Sequence, residues 1–360
     1  MMLAQTLIDC RCPKCKKGSL TLDESILPVI SKDVTDGQEI QEALLHCEYC
    51  NTLYPVVAGV AILVPNPLTY VAKNYSLICS LASQYISSLM FDYWSKHLGI
   101  FSENNTSSMD WNYDDPLSLS LYIFAHYDKI TEFLDLNHPL RKLVDDEYGD
   151  WYERLLNLAK PYLRQQPKVL DIGCNVGGLI YRLAYLSQFV YGLDYSFGSV
   201  FTARCILLAQ PCLQNIYHLH IEGVTYQERP ISVERPNNVD IVVASAGNIP
   251  FELKYFDLVT AINLIDVIPN PDCFLDNVDS LLKNQGIFLT TDPYYWETDS
   301  SAIEQWIGGR PNMPSNEAMR TEVSKRFNLL EEQDIVPWVL RVYERHYRLY
   351  FNHHLVAQKR

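Results

Sequence analysis

The sequence predicts an α/β protein with a mostly parallel, Rossmann-like sheet and helices on both sheet faces, preceded by a small cysteine-rich unit. A strand–turn–helix–strand pattern spans residues 168–196, and two Cys-x-x-Cys pairs lie near the N-terminus. Short apolar runs, which are typical of buried parallel strands, recur at residues 239–244, 256–263 and 286–292. We expect three regions, a cysteine-rich domain, a helical lid or linker and the α/β domain, at residues 1–68, 69–160 and 161–360.

The strand–turn–helix–strand pattern organises the α/β domain. Its first apolar strand contains Asp171 and leads into the turn Gly-Cys-Asn-Val-Gly, where Gly173 and Gly177 let the backbone pass close beneath a ligand. A helical pattern follows, and a second apolar strand ends at Asp194. An acid at that place can accept hydrogen bonds from a ribose diol. The pattern is the half-motif that binds an adenosine nucleoside.

Two nucleoside ligands compete for this half-motif. A dinucleotide site needs three glycines around a pyrophosphate, which Asp171 would repel, whereas the same acid suits a ligand with a cationic amino-acid end. This favours S-adenosylmethionine over NAD. The turn resembles the first motif of class I methyltransferases, in which a glycine is common at the position of Asn175. The resemblance and the later strand ends imply a class I methyltransferase sheet. The expected contacts to S-adenosylmethionine are Asp171, Gly173, Cys174, Asn175, Gly177, Asp194, Tyr195, Ser245, Ala246 and Asn263.

Composition narrows the classes of function. The 360 residues carry a net charge of −14 and are 48% apolar, which allows a sizeable core and argues against broad nucleic-acid binding. No run of about 18 apolar residues predicts a membrane span, and the N-terminus lacks a signal-peptide pattern. Ten cysteines, four of them in Cys-x-x-Cys pairs, indicate metal binding in a reducing compartment. We therefore expect a cytoplasmic protein that is not associated with a membrane.

The two Cys-x-x-Cys pairs predict a zinc ribbon. Each pair forms a tight knuckle that presents two thiolates to one tetrahedral ion, and two knuckles close the site. Cys10 and His46 lie beside the knuckles as less favoured substitute ligands. A unit of this size has little core, so metal binding would supply much of its folding free energy. The predicted Zn²⁺ ligands are Cys12, Cys15, Cys47 and Cys50.

The residues after the second knuckle carry a further resemblance. The succession Tyr54-Pro55, Gly59-Val60 and Leu63-x-Pro65 resembles the small zinc-ribbon activators of tRNA and protein methyltransferases, over roughly residues 8–66. In those activators the ribbon stabilises a methyltransferase partner. The resemblance therefore implies a scaffold or substrate-docking role within one chain. A fused ribbon also occurs in an rRNA guanine methyltransferase, which leaves an RNA acceptor open.

The helical region and the late strands follow from periodicity. Apolar residues recur at helical spacing in 76–94 and 116–134, with a loop at 101–115 and a helix at 149–163 before the first strand. In class I methyltransferases such helices often form a lid over the cofactor and the acceptor, although core packing also explains single aromatic residues. A helix is expected at 199–208, followed by a strand at 216–224 and a polar insertion, expected to be a hairpin, at 229–238. Two antiparallel strands at 329–339 and 346–358 are expected to close the edge of the sheet.

Ligands of open α/β sheets bind outside the carboxyl ends of the strands. Ser245 follows the third strand, where many class I enzymes have an acid that contacts the adenine amino group. Its hydroxyl can accept the same hydrogen bond more weakly. Asn263 ends the fourth strand, and Asp292 ends the fifth strand shortly before Tyr294. These polar groups should therefore lie at one edge of the sheet.

Several motifs at this edge together resemble the C-terminal methyltransferase domain of ovothiol-biosynthesis enzymes, over about residues 120–360. That domain methylates an imidazole nitrogen of 5-thiohistidine, so the resemblance implies a (thio)histidine-like or other small heteroaromatic acceptor. This chain departs from the family in its zinc-ribbon pattern and in having Ser245 instead of the acid. The motifs are Asn248-Ile249-Pro250, Asn263-Leu264-Ile265-Asp266, Pro293-Tyr294-x-Trp296, Trp306-x-Gly308-Gly309, Pro337-x-x-x-Arg341 and His353.

The expected reaction is in-line transfer of a methyl group from a sulfonium, which depends mainly on positioning and on exclusion of water. We hypothesise that the acceptor pocket is lined by Asn263, Asp292, Tyr294 and Arg341, and that Arg341 binds a carboxylate bidentately.

Two other functions stay open. An RNA or protein acceptor could dock through the ribbon, and RNA would require a basic face there. A non-catalytic adenosyl-binding scaffold is the third possibility. The basic residues beside the first knuckle are Arg11, Lys14, Lys16 and Lys17.

Overall fold

The computed structural model describes residues 2–34, 37–98, 116–144, 150–208, 216–298 and 301–360. The loop expected at 101–115 lies outside these ranges. The strands are β1 (Met2–Leu3), β2 (Leu20–Leu22), β3 (Ile30–Val34), β4 (Gly37–Cys47), β5 (Leu53–Val57), β6 (Val60–Leu63), β7 (Lys168–Ile172), β8 (Phe189–Asp194), β9 (Ile216–Glu222), β10 (Thr225–Pro230), β11 (Val239–Ala244), β12 (Phe256–Ile262), β13 (Leu282–Asp292), β14 (Phe327–Tyr343) and β15 (His346–Lys359).

Helices alternate with the strands of the α/β domain. The α-helices are α1 (Ala4–Asp9), α2 (Pro67–Lys73), α3 (Tyr75–Ala82), α4 (Ser88–His97), α5 (Pro116–Tyr127), α6 (Trp151–Ala159), α7 (Gly178–Ala184), α8 (Phe197–Leu207), α9 (Pro271–Leu281) and α10 (Ser315–Arg326). Short 3-10 helices lie at Ser83–Tyr85, Ile130–Phe133, Pro139–Lys142, Lys160–Tyr162, Ile265–Val267 and Ile303–Gln305. Within the described ranges, no helix has the length and apolarity needed to cross a membrane.

The central sheet confirms the predicted fold class. Strands β11, β8, β7, β12 and β13 lie side by side in that order and are parallel. β15 and β14 close one edge as the predicted antiparallel pair. Buried side chains of α6, α7 and α8 pack on one face of the sheet, and those of α9 and α10 pack on the other. The carboxyl ends of the parallel strands therefore meet at one edge between two helical layers.

The cysteine-rich unit continues this sheet. β6 pairs with β11 in parallel, with Ile62 opposite Val243 and Leu63 opposite Ala244. β5, β4 and β1 extend the same sheet beyond β6. An unpaired sheet edge exposes a row of backbone N–H and C=O groups, so β6 covers the edge that β11 would otherwise present. This continuity was not predicted from the sequence, which placed a domain boundary near residue 68.

A buried ion pair connects the N-terminal segment to the central sheet. Arg204 of α8 and Asp240 of β11 are fully buried and hydrogen-bonded to each other. The second oxygen of Asp240 accepts hydrogen bonds from Leu3 N, at 2.9 Å, and from the hydroxyl of Thr6. Because a buried charge is costly without partners, Asp240 ties the first residues of the chain to the α/β domain.

We expect Asp240→Ala to lower the free energy of unfolding by about 3–5 kcal/mol, because it leaves the Arg204 guanidinium buried without its counter-ion. Urea denaturation measures this change. The matched control is the double variant Asp240→Leu with Arg204→Leu, which removes both charges and should lose less stability than the single variant. A single variant that is at least as stable as the double variant would contradict the assigned role.

The last two strands project beyond the carboxyl edge of the sheet. β13 ends at Asp292, which is opposite His353, so the earlier residues of β15 and their partners in β14 extend past the edge. β9 and α5 pack against this extension, and β10 pairs with β9; for example, Glu344 N donates to Ile221 O at 3.2 Å. We call β9, β10, α5 and the projecting part of the β14–β15 hairpin the roof.

Candidate active site

The turn after β7 has a backbone that requires glycine. Gly173 and Gly177 have φ of +74° and +85°, in the left-handed region, and Asn175 has φ of +46°. A Cβ atom at Gly173 would lie 2.9 Å from a methyl carbon of Leu264, and one at Gly177 would lie 2.8 Å from a methyl carbon of Leu207. Glycine and asparagine tolerate this conformation best. The turn therefore leads directly into the N-terminus of α7.

Asp194 at the end of β8 is held against this turn. Its carboxylate accepts hydrogen bonds from Asn175 N and Ser196 N, both at 2.9 Å. A ribose diol would add its hydrogen bonds to the same carboxylate, which offers about four acceptor positions. The side-chain oxygen of Asn175 is buried and has no hydrogen-bond partner within the described ranges. A glycine-lined turn beside an unsatisfied buried oxygen and a carboxylate fits a nucleoside ligand.

Asp171 lies deeper, within β7. Its Oδ1 accepts a hydrogen bond from the Thr260 hydroxyl at 2.6 Å, and the side chain is buried. Burial raises the pKa of Asp171 to about 7, against a lowering effect of Thr260 and with a smaller raising effect of Asp194. The acid is therefore available in both charge states near neutral pH, and a cationic ligand group would favour its ionised form.

Asp171→Asn should stabilise the protein at pH 8 but not at pH 4. In the unfolded chain this carboxyl ionises near pH 4, whereas in the folded protein its pKa is about 7. Between these values the folded state binds more protons, so its stability falls as the pH rises and stays lower above pH 7. Urea midpoints of both proteins at the two pH values measure this difference. Equal midpoints at pH 8 would contradict it.

The predicted adenine side of the site lies around the ends of β8 and β11. The hydroxyl of Tyr70 in α2 donates to the backbone oxygen of Tyr195 at 2.7 Å, and the two rings pack edge to face. Ser245 Oγ accepts from Gly247 N at 3.2 Å and is half-buried, as is Ala246. Thus α2, which follows the ribbon strands, contacts the segment after Asp194.

Asn263 and Asn352 meet at the carboxyl edge. Asn263 has φ of +51°, and its N–H donates to Thr291 O at 2.7 Å. Its side-chain oxygen accepts from Asn352 Nδ2 at 2.6 Å, and Asn352 also donates to the Thr291 hydroxyl at 3.1 Å. Sequence reasoning missed Asn352. The sequence gives one sign of it, its place next to His353 in the last strand, because its partner Asn263 lies 89 residues away along the chain.

Asp292 binds backbone N–H groups at the carboxyl edge of the sheet. Its carboxylate accepts from Ile265 N at 2.9 Å, from Asp266 N at 3.4 Å and from Tyr294 N at 2.7 Å. Burial raises the pKa of Asp292 to about 6, while these hydrogen bonds lower it. Asp292 therefore joins the turns that follow β12 and β13.

Tyr294 begins a stack of aromatic rings. Its backbone has φ of +57°. Its ring is stacked on Trp296 with centroids 6.2 Å apart, and Trp296 is stacked on Trp306 at 5.7 Å. The Tyr294 hydroxyl is 2.8 Å from Nδ1 of His353. The structure thus brings Asn263, Asp292 and Tyr294 to one edge.

Arg341 lies in the roof, away from those three residues. It is opposite Tyr347, six residues before His353 in β15, which corresponds to roughly 20 Å along an extended strand. Its guanidinium donates to His220 O at 2.9 Å and lies over the ring of Phe124. Arg341 is buried, and burial lowers its pKa.

The four predicted thiolate ligands form one cluster in the N-terminal unit. All four sulfur atoms lie within 4.8 Å of one another. Sulfur–sulfur distances are 3.6 Å for Cys12 and Cys50 and 3.7 Å for Cys15 and Cys47. A tetrahedral site with zinc–sulfur bonds of about 2.3 Å has sulfur atoms roughly 3.8 Å apart. The geometry and the donor set therefore fit a zinc ion. Cys10 is outside this cluster and bridges to Phe251.

Comparisons with known proteins bear on the α/β domain. A family model described as a methyltransferase domain matches residues 140–351, more than half of the chain. The ubiquinone biosynthesis O-methyltransferase of Pasteurella multocida (strain Pm70) is 25% identical over 181 residues, which cover 48% of this chain and 66% of that protein. The protein of the same name from Glaesserella parasuis serovar 5 (strain SH0165) is 30% identical over 125 residues, with coverages of 34% and 44%.

The chain thus spans less than two thirds of the length of either relative. Among solved structures, a SAM-dependent methyltransferase from Methanosarcina mazei is 13% identical with a TM-score of 0.39, over 56% of this chain and 96% of that one. The family match covers all the parallel strands of the central sheet except β6. The chain belongs to the methyltransferase domain family and carries a class I S-adenosylmethionine-dependent methyltransferase domain.

Proposed function

We propose that the protein methylates a small molecule, with a nitrogen of a (thio)histidine-like or other heteroaromatic amino acid as the first candidate acceptor. The observation that carries a small acceptor is the roof. The projecting β14–β15 hairpin, β9, β10 and α5 extend beyond the carboxyl edge where the methyl group would be transferred. We infer that this projection lies over the acceptor, where it would restrict the acceptor to a size that fits beneath the roof and would exclude water from the reaction.

We assign the methyl donor to the turn after β7 and to the end of β8. Asp171 would face the cationic amino-acid end, and Asp194 would accept from the ribose hydroxyls. When bound, S-adenosylmethionine supplies an electrophilic methyl group on a sulfonium. The other residues proposed to contact it are Gly173, Cys174, Asn175, Gly177, Tyr195, Ser245, Ala246 and Asn263.

We assign the acceptor to the edge between β12 and β13. Asn263 and Tyr294 would contact it, and Asp292 would hold the backbone that presents them. The expected carboxylate contact of Arg341 is not retained, because Arg341 lies roughly 20 Å along the strand from this edge. Stacked aromatic rings beside Tyr294 suit a flat heteroaromatic ring. The catalytic effect would come mainly from holding the nucleophile in line with the methyl group.

An oxygen acceptor is the second candidate. Both curated relatives are named ubiquinone biosynthesis O-methyltransferases. A phenolic acceptor would also be flat and would also have to lose a proton during methylation. The identity of the methylated atom separates the two candidates.

An RNA or protein acceptor that docks on the ribbon has weaker support. Arg11 forms an ion pair with Glu252, Lys16 donates to Ile249 O at 3.0 Å, and Lys17 lies over the ring of Tyr49. These basic groups therefore already have partners within the protein. We propose instead that Zn²⁺ in the ribbon stabilises the edge of the sheet at β11.

The test is methyl transfer from isotope-labelled S-adenosylmethionine to a panel of acceptors by the purified full chain. The panel contains 5-thiohistidine, histidine, a catechol, bulk tRNA, ribosomal RNA and a protein extract. We expect label in 5-thiohistidine, and mass spectrometry should place the methyl group on a ring nitrogen. Label in the catechol would select the oxygen candidate. Label in RNA or protein would contradict a small acceptor, and no label in any arm would support a scaffold.

A further inference from the structure

A chain of four side chains runs from the carboxyl edge to the surface. The Tyr294 hydroxyl is 2.8 Å from Nδ1 of His353, and Nε2 of His353 is 2.9 Å from Oε1 of Glu332. Nη2 of Arg320 donates to the same oxygen of Glu332 at 2.7 Å. The imidazole is buried, whereas the Arg320 side chain is half-exposed. The chain therefore joins a hydroxyl at the edge to an anion near solvent through one buried imidazole.

The hydrogen bonds determine the tautomer of His353. An ionised carboxylate can only accept hydrogen bonds, so Nε2 must carry the hydrogen and donate it to Glu332. Although burial raises the pKa of Glu332, its hydrogen bonds with Arg320 and His353 hold that pKa below its usual value, and the group is ionised. Nδ1 of the neutral imidazole then has a free electron pair that accepts from Tyr294. A carboxylate that orients a histidine in this way prepares it to accept a proton.

Tyr294 is held in a strained position at this point. Its φ of +57° is unfavourable for a tyrosine, and Asp292 accepts its N–H at 2.7 Å and keeps it there. Backbone strain of this kind is concentrated at functional sites. Burial, with Asp292 as the next cause, raises the pKa of Tyr294 well above its usual value. The hydroxyl is therefore protonated at rest, and it can accept a proton only if it gives up its own.

We propose that Tyr294 takes the proton that the acceptor loses on methylation and passes its own proton to His353, with His353 and Glu332 as positioning residues of this transfer. The inference rests on the placement of the acceptor beside Tyr294 in the proposed function. Neither His353 nor Glu332 is among the residues assigned to contact the donor or the acceptor.

The transfer balances. The acceptor nitrogen forms a bond to the methyl carbon while the carbon–sulfur bond of the donor breaks and its electron pair stays on sulfur. The N–H proton of the acceptor moves to the Tyr294 oxygen, and the Tyr294 proton moves to Nδ1 of His353. Glu332 stabilises the resulting imidazolium until it releases the proton to water. The other titratable or charged groups near this path are Asp266, Asp292, Arg320, Asp334 and His354.

The kinetic test uses the full chain with 5-thiohistidine as acceptor. Tyr294→Phe and His353→Gln should lower kcat about 100-fold, the range of general acid–base effects, and Glu332→Gln about 10-fold. KM and the Kd of S-adenosylhomocysteine should change less than twofold. Tyr295→Phe is the matched control, because that neighbouring ring is exposed and should keep full activity.

A second measurement does not depend on the acceptor. Nitrogen NMR of ¹⁵N-histidine-labelled protein with S-adenosylhomocysteine identifies His353 by the signals that His353→Gln lacks. We expect the Nε2-protonated neutral form at pH 8. An Nδ1-protonated ring, or Tyr294→Phe with more than half of wild-type kcat, would overturn the relay. If 5-thiohistidine is not methylated but the tautomer is as expected, only the acceptor assignment fails, and the variants are assayed with the acceptor that the panel identifies.

Discussion

Asp194→Ala is expected to weaken the binding of S-adenosylmethionine about 100-fold or more. Hydrogen bonds to a charged group contribute about 1.5–3 kcal/mol each, and a ribose diol would donate two of them to this carboxylate. The variant also loses the acceptor for Asn175 N, which Asp194 holds at 2.9 Å. Both losses weaken the binding of the same ligand, because the turn after β7 and Asp194 line one surface. Isothermal titration with S-adenosylmethionine and with S-adenosylhomocysteine measures the loss.

The variant Asp194→Asn separates these effects, and Glu222→Ala is the control. Asp194→Asn keeps a side-chain oxygen for the backbone but removes the charge, so it should bind more weakly than the wild type and more tightly than Asp194→Ala. Glu222→Ala changes an exposed acid at the end of another strand, β9, and should leave affinity unchanged. Affinity for the methyl donor that is the same in Asp194→Ala and wild type would place the nucleoside elsewhere.

The arrangement of the candidate donor site could be predicted from the sequence because its determinants are local. Gly173, Gly177 and Asp194 lie within one strand–turn–helix–strand unit, and a left-handed turn followed by a helix restricts which residue types are possible. The structure places all three together as the pattern indicates. The order of the parallel strands likewise follows from alternating strands and helices.

The acceptor side could be predicted only in part, because its contacts are between distant segments. A sequence pattern puts Asp292 at a strand end, but it does not show that the backbone of the next turn occupies its oxygens. The pairing of Asn263 with Asn352 depends on the register of the last strand. Glu332 was missed for the same reason, since its partner His353 belongs to the neighbouring strand.

The pairing of the ribbon with the methyltransferase sheet also escaped sequence analysis. A short apolar strand such as β6 is compatible with a separate ribbon core or with a sheet edge, and nothing local distinguishes the two. Its partner β11 lies about half the chain away. Backbone hydrogen bonds do not require particular residue types, so the sequence does not show which strand β6 pairs with.

Removal of the metal ion is expected to destabilise the methyltransferase sheet as well as the ribbon. The first knuckle is attached to the turn after β11: Arg11 N donates to Pro250 O at 2.9 Å, and Lys16 Nζ donates to Ile249 O at 3.0 Å. β6 covers the edge of β11 itself. Ser245 and Ala246, assigned to the adenine side, are the first residues of the same turn. Without the ion nothing joins the four sulfur atoms, so the knuckle that holds this turn is free to open.

Cys47→Ala should therefore lose the zinc ion and lower Tm by roughly 10 °C, which corresponds to a loss of a few kcal/mol in a domain of this size. It should also weaken the binding of S-adenosylhomocysteine several-fold. Elemental analysis for zinc, a thermal melt and titration with S-adenosylhomocysteine measure the three effects.

Cys273→Ala removes an exposed thiol outside the cluster and is the matched control. A protein that is purified without zinc, or one in which Cys47→Ala melts like Cys273→Ala, would contradict a structural metal centre. A lower Tm with unchanged affinity would confine the role of the ribbon to stability, because the turn after β11 would then keep its shape without the knuckle.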